Sequence, residues 1–159
     1  MEDDGMIDET YRALNARHNH IYQFVMKYND YIISAHDYGN GMRATMLEAH
    51  TLTYIEENPG ITITELANYW NKTKSYLSQT VSHLVDKGLV EKRKENNNAK
   101  SIRLYVTEAG KKASKDHKLY DIVDIAKTMG ELQEYCSPEE IETFFKVIAA
   151  YGKIIHKDY

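Results

Sequence analysis

The sequence predicts a mainly α-helical protein carrying one small antiparallel β-hairpin, and three observations support that expectation. Apolar residues recur at helical spacing through most of the 159 residues. Capping-box patterns, Thr62-x-x-Glu65 and Ser137-Pro138-Glu139-Glu140, mark helix starts, because a hydroxyl and a carboxylate three residues apart satisfy orphan N–H groups reciprocally. Two short strand-like runs, Leu89 to Lys94 and Ile102 to Val106, flank the polar, asparagine-rich stretch Glu95 to Lys100.

The elements follow in order. From Ile7 to about Ile33, Ile7, Tyr11, Leu14, Ile21, Val25 and Ile32 form one apolar seam, thickened by Tyr22 and Ile33. The seam is close to a heptad, which suits packing against another long helix. The run Asp37-Tyr38-Gly39-Asn40-Gly41 breaks it. A second helix, with Met46, Leu47, His50, Leu52, Tyr54 and Ile55, stops before Asn58-Pro59-Gly60. A short helix from Ile63 to about Trp70 follows, then a turn at Asn71-Lys72. Thr73 caps the next helix, which runs through Tyr76, Leu77, Val81, Leu84 and Val85 to a left-handed stop at Gly88. After the hairpin, Thr107 can cap a helix from Glu108 to about Tyr135. Ser137, with Pro138 at the first helical position, opens the last helix, to about His156.

Composition limits the function classes. With 42% hydrophobic and 28% charged residues the chain is that of a globular protein. No apolar run approaches the roughly 20 residues that a bilayer span needs. The acidic Met1-Glu2-Asp3-Asp4-Gly5 lacks the features of a signal peptide, and a single cysteine, Cys136, fits a reducing compartment, so a cytoplasmic, nucleoid-associated location is expected. No nucleophile–base motif or phosphate loop points to an enzyme, and no cofactor is expected. The seven histidines are scattered, and His18 and His20 point in different directions on a helix, so no metal site is expected from local spacing. Cys136, just before the Ser137 cap, is expected to be inert or weakly reactive.

Charge is divided along the chain. Lys72 to Arg103 holds eight bases against three acids, a net of +5 within an overall −4, so the remainder carries −9. Such blocks suit a protein with one face for a polyanion and a body that repels it. Two short helices joined by a tight turn and followed by a hairpin make a winged helix-turn-helix. Leu66 and Ala67 can pack against Leu77, Val81 and Leu84, which leaves Lys72, Thr73, Lys74, Ser75, Tyr76, Ser78, Gln79, Ser82 and His83 at the turn and on the opposite face. That face mixes hydroxyls, amides and cations with almost no carboxylate, a combination able to donate to phosphates and read base edges. Gln79 can pair bidentately with adenine, Lys74 can reach guanine or phosphate, and Thr73 and Ser75 can bring helix N-terminal N–H groups to a phosphate.

The stretch from Ile61 to Ala113 resembles the MarR family of bacterial winged-helix regulators. Its most specific pieces are Glu65-Leu66-Ala67, Ser78-Gln79-Thr80-Val81, Leu84-Val85-Asp86-Lys87-Gly88-Leu89-Val90 and Leu104-Tyr105-Val106-Thr107-Glu108-Ala109-Gly110. The resemblance extends from about Ile7 to the end. It implies a homodimer on an inverted-repeat operator in double-stranded DNA, with a repressor's role. Residues 1–36 would then be an N-terminal dimerisation helix, 37–107 the winged helix-turn-helix and 108–159 C-terminal dimerisation helices. Thr73 to Lys87 would lie in the major groove while the wing, with Lys92, Lys94 and Lys100, reaches the adjacent minor groove. The family's wing carries an Asp-x-Arg pattern, whereas this chain has Asn98-Ala99-Lys100; lysine keeps the charge and loses the planar fork. That departure motivates a second reading, a winged-helix protein-interaction module without DNA readout.

The family's frequent binding of small molecules between the dimer helices and the winged region implies a pocket here. Its candidate residues are Tyr22, Tyr28, Tyr31, Tyr38, Tyr54 and Trp70, whose rings also suit a dimer core or a half-buried helix surface. Leu47-Glu48-Ala49-His50-Thr51-Leu52 is similar to the fatty-acid-synthesis repressors of the family, which makes a small acyl effector, beside an aromatic one, worth testing.

Overall fold

The computed structural model describes residues 3–39, 41–94 and 102–155. Among the described residues, six helices and two small antiparallel strand pairs follow in the order α1 (Asp3–Ile33), β1 (Ala35–Asp37), β2 (Arg43–Thr45), α2 (Met46–Glu57), α3 (Ile63–Trp70), α4 (Lys74–Asp86), β3 (Val90–Lys94), β4 (Ile102–Val106), α5 (Glu108–Leu132) and α6 (Pro138–Ile154). The mainly helical class with an antiparallel wing is therefore borne out. The chain divides into two compact units, Met1–His117 and Lys118–Tyr159. None of the described helices is long and apolar enough to cross a membrane.

Local chemistry explains the boundaries. Three helices, α2, α3 and α6, open with complete capping boxes, at Thr45/Glu48, Thr62/Glu65 and Ser137/Glu140. The first of these escaped the sequence reading, although Thr45-x-x-Glu48 has the same spacing as Thr62-x-x-Glu65. The Thr107 hydroxyl starts α5 by accepting from the Gly110 N–H at 3.0 Å, while it donates to the Gly88 carbonyl at 2.7 Å. Between α3 and α4 the chain turns at Asn71, with φ of 54°, a left-handed conformation that asparagine tolerates better than most side chains.

One element departs from expectation. The break after α1 is not a plain loop but a hairpin, in which Ala35, His36 and Asp37 pair antiparallel with Thr45, Ala44 and Arg43. Gly39 and Gly41 take positive φ in its connection, so the glycines that signalled a stop also permit the chain to double back. A further bridge, Ile61 with Leu104, adds a third, very short strand beside the wing.

The core of the first unit gathers Leu52 and Ile55 of α2, Leu66 and Ala67 of α3, Leu77, Val81 and Leu84 of α4, Leu89, Val90 and Leu104 of the wing, and Ala113 of α5. Leu66 and Ala67 thus meet Leu77, Val81 and Leu84 as the apolar spacing requires. In the second unit Ile141 is buried, whereas Ile122, Val123, Phe144, Phe145 and Ile148 are exposed.

Gly110 is the tightest point. A Cβ built there would lie 2.0 Å from the Leu89 carbonyl oxygen, a backbone atom with no side-chain freedom to yield. Gly110→Ala must therefore part α5 from the wing strand, and it should cost at least about 1–3 kcal/mol. Urea unfolding followed by circular dichroism checks this, with Gly130→Ala, where nothing lies within 4 Å, as the mild control.

Candidate nucleic-acid interface

Helix α4 is seated by one face and presents the other. Leu77, Val81 and Leu84 are at most 1% exposed, while Lys74, Ser75, Tyr76, Gln79 and His83 are exposed and Ser78 and Ser82 half-buried. Lys72 and Thr73 of the turn are exposed as well. The Thr73 hydroxyl accepts from the Tyr76 N–H at 3.2 Å and so caps α4 as expected. The Lys72 ammonium lies over the Tyr76 ring, 5.9 Å from its centroid, which gathers a cation and an aromatic edge at the start of the helix.

The wing adds cations on the same side. Strand register pairs Val90 with Val106, Lys92 with Leu104 and Lys94 with Ile102. Directly paired residues share a face, so Lys92 and Lys94 share the one on which Leu104 enters the core. The Lys92 ammonium accordingly reaches the Ser82 hydroxyl of α4 at 3.5 Å. Arg93 belongs to the other face, opposite Arg103, where its guanidinium stacks on Tyr105 at 4.4 Å and pairs with Glu91. Lys100, a wing contact expected from the sequence, lies outside the described residues, as does the rest of Asn98-Ala99-Lys100.

The α4 surface is not free of carboxylate. Glu48, the capping residue of α2, is only 8% exposed, and its oxygens reach His83 Nδ1 at 3.2 Å and Lys87 Nζ at 3.3 Å. Lys87 also donates to the Arg43 carbonyl at 3.1 Å. Burial alone would push the Glu48 carboxyl up. The Thr45 N–H, Lys87 and His83 outweigh that penalty and hold it below the ordinary carboxylate value. Only long-range proximity brings Glu48 to α4; its sequence signal is the capping box, which marks the start of α2 and nothing beyond it.

The aromatic candidates for a small-molecule site are placed unevenly. Tyr28, Tyr31, Tyr38, Tyr54 and Trp70 all belong to one series of neighbouring rings, in the order Phe24, Tyr28, Tyr31, His36, Tyr38, His117, His50, Trp70, Tyr69, Tyr54. Its closest pair, Tyr54 and Tyr69, stacks at 3.8 Å, and Tyr38 is buried. Tyr22 stands apart, exposed beside His18. An open cavity of about 450 Å³ in this unit touches only Tyr54 of the six candidates and is otherwise lined by residues such as Asn58, Glu65 and Arg103. His50 and His117 meet edge-to-face at 4.6 Å through the fold, a proximity that local spacing does not reveal. Cys136 is exposed and free.

Residues 41–101 match the model of the MarR family. Among curated proteins, the chain is 31% identical over 84 residues to the uncharacterized HTH-type transcriptional regulator YhjH of Bacillus subtilis, a match spanning 53% of this chain and 48% of that one. It is 36% identical over 81 residues to the HTH-type transcriptional regulator PetP of Rhodobacter capsulatus, spanning 51% and 45%. The match thus spans about half the length of each curated relative. Among solved structures, Streptococcus pneumoniae FabT in complex with DNA aligns with a TM-score of 0.61 at 19% identity, covering 90% of this chain and 95% of that one. That likeness establishes the winged-helix fold.

The depressed Glu48 carboxyl has a defined effect on stability. A group whose pKa falls on folding contributes above its ordinary value, near 4.5, and the contribution is lost as pH falls through the lower, folded value. Wild type should therefore lose more stability on acidification below that range than Glu48→Gln does. Urea midpoints measured down the acid limb for both proteins check it, and equal losses would count against the pairing.

Proposed function

We propose that this chain, which over residues 41–101 matches the model of the MarR family, is a sequence-specific regulator of transcription that binds double-stranded DNA. One observation carries the reading. The exposed face of α4 and the inner face of the wing join into a single surface, where Lys92 meets Ser82, while the apolar faces behind them are buried. Lys72, Thr73, Lys74, Ser75 and Tyr76 approach the backbone at the start of the helix. Ser78, Gln79, Ser82 and His83 face the bases, and Lys92 and Lys94 follow the adjacent groove. The DNA complex of FabT, a protein with the same fold, is consistent with this assignment.

The operating form is a homodimer. Ile7, Tyr11, Leu14, Ile21 and Val25 remain exposed along α1, and Phe144, Phe145, Ile148 and Ile155 remain exposed in the second unit. Contiguous apolar seams of that length mark protein interfaces, and a second copy supplies the matching seam. Two copies related by a two-fold axis present two α4 helices to an inverted repeat, with half-sites about 34 Å apart. Repression follows from occupying such an operator. A small aromatic or acyl effector bound along the Tyr28–Trp70 ring series would act by changing that spacing. The location is the cytoplasm.

Binding to a duplex enriched by the protein from random-sequence DNA should weaken steeply with salt, because neutralised phosphates release counterions. Lys92→Ala should weaken binding to every sequence alike and lower the salt slope by about 1. Gln79→Ala should relax preference at one position per half-site, at a cost of about 1–3 kcal/mol for the preferred base pair. A flat salt response, or a protein that sediments as a monomer at the concentrations where it binds, would overturn the reading.

A further inference from the structure

His83 lies on the exposed face of α4, yet one of its two ring nitrogens is already engaged. Its Nδ1 lies 3.2 Å from Glu48 Oε1, while the side chain as a whole stays 64% exposed. An ionised carboxylate only accepts hydrogen bonds, so Nδ1 must carry the proton in this contact. Nε2 is then the nitrogen left for an incoming ligand. In the neutral ring Nε2 is an acceptor; in the imidazolium it is a donor.

From α2, Glu48 supplies the negative charge at the ring, and its other oxygen takes the ammonium of Lys87, the C-cap of α4, at 3.3 Å. From β3, Lys92 reaches Ser82, the neighbour of His83 in sequence. From α3, the Glu65 carboxylate is held by its own cap at Thr62. Arg43 of β2 meets Lys87 through its carbonyl and turns its guanidinium to the Ala35 carbonyl. Asp86 on α4 is exposed. Among these described groups the carboxylate in contact with the ring is Glu48, so removing its charge weakens the acceptor that holds Nδ1–H inward.

We infer that Glu48 is a positioning residue for DNA readout: it holds the His83 ring with Nδ1–H inward and Nε2 outward, so that the His83 contact changes from acceptor to donor when the ring takes up a proton. The inference rests on the proposed DNA-binding function and adds to it a proton-linked contact on the recognition helix. A phosphate oxygen, or the O6 and N7 atoms of guanine, accepts from the imidazolium Nε2–H; neither accepts anything from the neutral ring in this tautomer. Affinity for DNA should therefore rise on acidification.

The experiment measures Kd by fluorescence anisotropy at constant ionic strength, from about pH 6 to about pH 8. It uses the full chain as wild type, Glu48→Gln and His83→Gln, with a duplex enriched by the wild type from a random-sequence pool. One linked proton permits up to about a tenfold change in Kd per pH unit. Wild-type affinity should fall several-fold as pH rises, His83→Gln should lose that dependence, and Glu48→Gln should reduce it. Glu48→Gln keeps an oxygen able to accept from the Thr45 N–H, so the cap survives and the variant folds. A merely structural Glu48 would shift all affinities by one factor and leave the slope intact. Imidazole ¹⁵N shifts of the free protein provide a second measurement, with His83 protonated at Nδ1 in wild type and mixed between tautomers in Glu48→Gln. Parallel pH profiles in all three proteins, or a His83 protonated at Nε2 in the neutral wild type, overturn the inference. A wild type that retains no duplex at any pH overturns the DNA reading itself, so the two failures are distinguished by whether the wild type binds.

Discussion

The seating of α4 by Leu77, Val81 and Leu84 on Leu52, Leu66 and Leu104 is the interaction on which the rest of this molecule depends. Each such side chain contributes roughly 1.5–3 kcal/mol on burial. A solvent-exposed ion pair is worth about 0–1 kcal/mol by comparison. Apolar packing therefore fixes where the helix lies and which way it is rotated. The polar groups act at a finer level, choosing the orientation of individual side chains on a helix already in place. Because one face of α4 is committed to the core, the other must face outward, and the proposed readout surface follows from that commitment.

The same logic orders the wing. Alternation along β3 sends Val90 inward and carries Lys92 and Lys94 out along the same face, toward α4. Arg93, one residue out of phase, is directed to the reverse face with Tyr105 and Glu91. Adjacent cations in sequence thus serve two different surfaces, and charge alone would have grouped them. Gly110 completes the arrangement by letting the start of α5 approach the Leu89 carbonyl, which brings the wing strands down onto the core.

Much of this is legible in the chain because the signals are local. A capping box, an apolar repeat or a glycine at a helix end acts over four or five residues, so Thr62, Thr73, Gly88 and Ser137 mark boundaries that the structure keeps. The hairpin at Ala35–Thr45 was less legible, since three-residue strands carry too few side chains to show alternation and the paired glycines signal only a turn. The approach of Glu48 to His83 spans 35 positions, and that of His50 to His117 spans 67; both arise from tertiary packing, on which periodicity is silent. The aromatic candidates show both sides. The resemblance drew attention to six aromatic residues, of which all but Tyr22 fall in one series of rings, yet nothing in their spacing separated Tyr22 from the others.

Trp70 is the only tryptophan in the chain, and it closes α3 between Tyr69 at 5.0 Å and His50 at 6.4 Å. Tyrosines this near pass excitation to an indole, and an imidazole close by dims its emission according to charge. The molecule thus carries an intrinsic optical probe at the junction of the helix-turn-helix with α2. Rearrangement of that junction changes its brightness, with no dye attached.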